Sequence, residues 1–257
     1  MTSKAAPKAN ANLVKEGPID AILLALAGLY EQIGQIESAL SVYDSILKRN
    51  PNCVGALLSR SLVYLSKSQD DKAVKDLQKA AARAPRDPNV LRTKAFASMI
   101  SGDIDSADKD FQKLMENNDL DSLSALIAYA LKQKVDETAA PIFLNEALDS
   151  KIKVRDWPIQ ILQFFRGEID MSEVMAQAFS KTKQLETRAY VGFCKAFSAN
   201  SQDGKADLQF AYNAKNGSAL VRAMAARGLK IIQEGHAQRV ASRHEKADKI
   251  SGVDWMD

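Results

Sequence analysis

Apolar and small side chains between residues 20 and 121 recur at helical spacing, and the whole pattern then recurs twice more. Leu23, Leu26, Ala27 and Tyr30 lie on one helical face, followed by Gly34, then Ala39 and Tyr43, then Pro51. The order returns as Leu57, Ser61, Tyr64, Ala73, Leu77 and Pro85, and again as Leu91, Ala95, Gly102, Ala107 and Phe111. Ala39, Ala73 and Ala107 are spaced 34 residues apart. A period of that length predicts stacked helical hairpins, each too small to bury its own apolar face.

The residue types say why the hairpins close. Small side chains at Ala27, Ser61 and Ala95 on the first helices, and at Ala39, Ala73 and Ala107 on the second, let paired backbones approach. Tyr30, Tyr43, Tyr64, Leu77 and Phe111 fill the space between, each burial contributing on the order of 1.5–3 kcal/mol. Gly34 and Gly102 mark turns, and Pro51 and Pro85 stop second helices. Some positions depart from the pattern. Arg60 and Lys94 stand where it wants Leu, Ser98 where it wants Tyr, and Asp119 where it wants Pro.

Past residue 121 the rhythm slips. Ile127, Ala128, Leu131, Ala140 and Leu144 predict a degenerate fourth unit over 122–150. An irregular helical insertion is expected over 151–185: Trp157-Pro158 opens the apolar run IQILQFF, Gly167 ends it, and Asp170 with Glu173 forms a capping-box signature. Tyr190, Phe193, Cys194, Phe197, Ala206 and Phe210 predict a divergent fifth unit within 186–235, closed by a helix from about 219 to 233. Cys194 takes a small-residue slot, which predicts packing and not reactivity. Residues 1–19 and 236–257 are expected to be flexible, with Trp255 and Met256 read as a loose end.

Residues 20–121 resemble the tetratricopeptide repeat family, through Ala27, Tyr30, Gly34, Ala39, Tyr43 and Pro51 and their equivalents in the next two units. The resemblance implies an all-α, helix-pair solenoid wound as a right-handed superhelix, here with a degenerate C-terminal half, that holds peptides, helices or domains without catalysing a reaction. From Trp157 through Gly167 and on to residue 214 the chain is also similar to the C-terminal region of NlpI-like bacterial repeat proteins. Those are envelope lipoproteins that act as adaptors for peptidoglycan hydrolases and proteases. This sequence shows neither a lipobox Cys nor an export signal.

In a solenoid of this kind the first helix of each pair lines the concave face, which assigns a partner-binding groove to Leu24, Gly28 and Glu31, then Leu58, Leu62 and Leu65, then Arg92, Phe96 and Met99. Most are apolar, so the expected occupant is an amphipathic helix or apolar segment of a protein partner, with Arg92 pairing an acidic group at the edge. The chain's own Leu13–Val14 or Val253–Met256 are alternative occupants. Family members that grip chaperone C-terminal carboxylates use a Lys and Asn clamp. Here Leu24, Gly28, Ser59, Asn89 and Thr93 stand in its place, so that role is not expected. The predicted function is a non-enzymatic adaptor or assembly scaffold. A chaperone-like holder of an aggregation-prone subunit, an envelope adaptor and a structural homo-oligomer are the alternatives.

Composition narrows the chemistry. Lys and Arg total 35 against 32 Asp and Glu, a net charge of +3 that is too weak to track phosphates, and basic side chains are not interleaved with aromatics. No nucleic-acid partner is expected. Residues 1–235 contain no His, which removes imidazole proton transfer and His-based metal ligation from the body of the chain. No phosphate-loop, dinucleotide-binding, zinc-protease or serine-hydrolase motif occurs, and neither cofactor nor metal is expected. Asp103, Asp105, Asp108 and Asp110 read as a solvated helix start, and Glu116, Asp119 and Asp121 as loop acids. Cys53 and Cys194 form no CxxC pair, and no run of 18 apolar residues occurs. The expectation is a soluble, cytoplasmic protein, or a periplasmic one if a signal segment precedes this sequence.

Overall fold

The computed structural model describes residues 17–152, 156–214 and 216–251, and no strand occurs among them. Three hairpins come first: α1 (Pro18–Gln32) with α2 (Ile36–Arg49), α3 (Val54–Ser66) with α4 (Asp70–Arg83), and α5 (Pro88–Ser101) with α6 (Ile104–Glu116). A fourth pairs α7 (Ser122–Val135) with α8 (Ala139–Glu146), which runs on through a π-helical turn at Ala147–Lys151. Two short helices, α9 (Ile159–Arg166) and α10 (Met171–Gln177), precede the fifth pair, α11 (Lys181–Ala196) and α12 (Lys205–Asn213), and the long α13 (Ala219–Ser251). Each second helix of the first three pairs packs on the first helix of the next pair, so the fold is an all-α hairpin solenoid.

The 34-residue period is written into the backbone as well as the core. Ala27, Ser61 and Ala95 are buried at the crossings of the first three pairs, as are Ala39, Ala73 and Ala107. Gly34, Ser68 and Gly102 all have positive φ. In each case the next N–H reaches back five residues: Gln35 donates to the Tyr30 carbonyl (2.8 Å), Gln69 to Tyr64 (2.9 Å) and Asp103 to Ser98 (2.9 Å). This is the six-to-one bond of a Schellman C-cap, repeated three times. Starts are capped as well. Asp87 accepts from the Asn89 and Val90 amides, Asp121 from Ser124, and Asp170 and Glu173 close their capping box.

Two expectations about the fifth pair and α13 change. Ala206 is exposed and Phe210 is half exposed, whereas Leu208 and Ala211 of α12 are buried. Glycine makes the crossing in place of alanine. A Cβ on Gly204 would lie 2.4 Å from the Gly192 carbonyl oxygen, and Cβ atoms on Gly192 and Gly228 would lie 2.8 and 2.7 Å from Leu208. Leu208 is thereby seated between α11 and α13. The last helix does not extend the stack, either: α13 turns back to pack on α3 as well as on α11 and α12, and it continues to Ser251.

Candidate interaction surface

The return of α13 fills the hollow that the first helices would otherwise expose. The Ala219 N–H, in the first turn of α13, donates to Glu31 Oε2 (2.7 Å), while the Tyr43 hydroxyl donates to Oε1 of the same carboxylate (2.8 Å). Arg222 donates to the Glu31 carbonyl (3.1 Å), and the Gly217 N–H to the Gln32 carbonyl (3.3 Å). Burial pushes the Glu31 pKa up, against the opposing pull of these donors and of Arg222. Further along, the buried Arg227 donates to the Leu65 carbonyl (3.2 Å) and pairs with Asp70.

The nine groove residues accordingly divide. Glu31, Leu58, Leu65, Phe96 and Met99 are buried within the chain, with the Phe96 ring 5.6 Å from that of Phe193 on α11. Leu62 is partly covered. Arg92 does not wait for a foreign acid, since it already bonds Asp121 and the Asn89 side chain. Leu24 and Gly28, on α1, are likewise partly covered, Leu24 packing against the core. The segments proposed from sequence as internal occupants, Leu13–Val14 and Val253–Met256, lie outside the described residues, as does Trp255.

The open apolar surface lies on the other side of α1. Ile19, Ile22, Leu26, Leu29 and Ile33, the last at the C-cap, are 59%, 68%, 38%, 63% and 62% exposed. Their 3-4-3-4 spacing puts them in one stripe along the whole helix. Ala21 and Ala25 are exposed beside it, and a Cβ built on Gly28 meets nothing within 4 Å. The helix carries just two charged residues, Asp20 and Glu31, and both face inward, Asp20 onto Arg49 and the Asn50 amide (2.9 Å). Asn50 and Arg49 hold the Asp20 carboxyl below the usual carboxylate range. The polarity of an ordinary surface helix is thus inverted.

Sequence reasoning placed Leu26 in the packing set, but its exposure has a geometric cause. One period later the stripe positions become Cys53, Ala56, Arg60, Val63 and Lys67, and in the next unit Asp87, Val90, Lys94, Ala97 and Ser101. Of these, Cys53, Ala56, Val63 and Val90 are buried, on helices that pack against the preceding hairpin. Among the described residues no helix precedes α1 to do the same. The signal was present in the sequence as five large apolar residues at heptad spacing where later units place smaller, polar or charged ones.

Acidic residues contribute no separate site. Asp103 caps α6 and Asp108 pairs with Lys132, but Asp110 is not solvated: it is buried between Lys94 and Lys113. Among the described residues no group of three His, Cys, Asp or Glu side chains could hold a metal ion, and no helix is long and apolar enough to cross a membrane. Cys194 is buried, its thiol pKa raised by that burial, with Sγ 3.7 Å from the Leu126 carbonyl.

The structure therefore defines a helical-hairpin repeat protein whose hollow is closed by its own last helix and whose first helix is open. Residues 20–60 match the family model described as tetratricopeptide repeat, so the segment spanning the first hairpin and the start of the second carries that repeat. A tetratricopeptide repeat protein from Parabacteroides merdae ATCC 43184, known from a crystal structure at 2.39 Å resolution, is similar at 19% identity, covering 84% of this chain and 86% of that one with a TM-score of 0.49. No curated protein sequence matches this chain. Tetratricopeptide repeats generally mediate contacts between proteins.

Proposed function

We propose that this protein is a non-enzymatic scaffold that joins protein partners through α1, at the open end of the solenoid. The observation that carries the reading is the charge-free stripe of Ile19, Ile22, Leu26, Leu29 and Ile33 on a helix whose charged residues both point inward. Contiguous apolar surface on a folded chain marks a contact site, and each stripe residue that becomes buried on docking contributes on the order of 1.5–3 kcal/mol. Leu24 and Gly28, from the groove assigned by sequence, lie on the opposite side of α1 from this stripe and are not part of the proposed contact.

Affinity capture with the wild type beside an Ile22→Glu/Leu29→Glu variant tests this, provided each captured protein is then purified and titrated against both forms. Both positions are more exposed than buried, so the variant keeps its fold. Loss of binding in the variant, with unchanged far-UV circular dichroism, is the expected result. Equal binding by both forms would move the contact away from α1.

A further inference from the structure

Resting on that reading of α1, we infer that the stripe's occupant is a second copy of this chain, the two α1 helices packing along their length about a two-fold axis. The first argument is spacing. Large apolar residues at 19, 22, 26, 29 and 33 alternate in steps of three and four, the repeat that two like helices need to interlock at a shallow crossing angle. The second is charge. The exposed face of α1 presents neither a cation nor an anion, so its own copy brings nothing to the seam that must be desolvated unpaired. Ala21 and Ala25, exposed on one flank of the stripe, add no bulk that would hold the two backbones apart.

Other occupants fit less well. A further hairpin of the same kind would meet smaller residues, such as the buried Ala56 and Val63 of α3, which packs on α2, whereas α1 offers isoleucine and leucine. Residues 1–16 hold only Leu13 and Val14 as neighbouring large apolar side chains, too few to cover a five-residue stripe. The stripe exposes roughly 500 Å² of apolar surface, which with its alanine flank approaches the ~800 Å² per partner of a standard interface. A two-fold contact uses the same face on both copies and closes, so it ends at the dimer and does not grow into a filament.

Light scattering on the full chain should give twice the 28.1 kDa of one copy. Ile22→Glu/Leu29→Glu and Ile22→Lys/Leu29→Lys should each run as a folded monomer. Mixing the two variants should restore the dimer, because 22 and 29 meet their own kind in a parallel pair and each other in an antiparallel one. A monomeric wild type would overturn the second copy as occupant. If such a monomer still binds a purified foreign protein through Ile22 and Leu29, the scaffold reading survives; if it does not, both fall. Dimers that persist in either variant alone would remove α1 from the dimer contact, and a mixture that stays monomeric would overturn the pairing of positions 22 and 29 across a two-fold axis.

Discussion

A carboxylate on the inner face of a helix is costly unless donors converge on it, and at Glu31 they come from α2 and α13. Burial raises its pKa above the ordinary 4.5, and burial does the same to Glu186, which accepts from the Trp157 indole N–H (2.8 Å). A raised carboxyl binds protons more readily in the folded chain than in the unfolded one. Its stabilising share is therefore fully present below pH 4.5 and is lost as pH rises through the raised value. The capping residues Asp103, Asp136 and Asp170 run the other way: hydrogen bonds from Ser106, Thr138 and Ser172 hold them below 3.8, and their share is lost only as pH falls beneath that. Urea midpoints should accordingly rise as pH drops toward 4.5 and decline below 3.8. Glu31→Gln should flatten the upper slope, and an unchanged slope would remove Glu31 as its source. At Ser68 the cost is conformational. The residue sits at φ 57 where its neighbours in the period are glycines. A left-handed conformation costs an L residue roughly 1–2 kcal/mol, and glycine's extra unfolded freedom gives back 0.5–1, so Ser68→Gly should stabilise by about 0.5 kcal/mol. Thermal unfolding would read that as a small rise in Tm.

Between helices of one hairpin, the chain contains its own natural substitution series. The positions occupied by Leu26 and Val42 in the first unit become Arg60 and Asp76 in the second and Lys94 and Asp110 in the third. Arg60 forks onto both oxygens of the buried Asp76 (2.7 Å each), and Lys94 lies 3.1 Å from Asp110. Asp76→Ala should cost about 2–3 kcal/mol by leaving a largely covered guanidinium with the exposed Asp44 and the Tyr64 ring, and Arg60→Leu with Asp76→Val should recover most of it. A double variant no more stable than Asp76→Ala would mean the pair does more than fill a crossing. The helix pairs were legible in sequence because their contacts lie within one period, where small residues must face one another. Arg60 and Lys94 stood out as exceptions, but of their acids on the partner helix Asp110 reads as a solvated helix start and Asp76 carries no signal of its own. The fifth pair was harder to place. Its crossing uses Gly192, Gly204 and Gly228 around Leu208, so a search for the alanine slot fell two residues short, on Ala206.

Across the whole molecule, the decisive contacts join residues far apart in sequence, which periodicity does not register. Ala219 and Glu31 are 188 residues apart, and Arg227 and Leu65 are 162 apart. A solenoid whose units touch only their neighbours loses stability unit by unit, whereas a last helix tied to the first and second hairpins couples both ends of the chain. The buried Arg227 is the test of that coupling, because it contacts α3 and α4 from α13 and lies away from the α1 stripe. Replacing it by alanine leaves the Leu65 carbonyl without this donor and should cost about 2–3 kcal/mol. The loss should be distributed in a particular way: hydrogen exchange ought to quicken at the α3 amides and in the first turns of α13 together, while α7 and α11, held by Phe193, Cys194 and Leu126, keep their protection. Faster exchange confined to α13 would make the return helix a passenger on a self-sufficient stack. Equal acceleration everywhere would instead make the whole chain one cooperative unit, with no separable lid over the hollow.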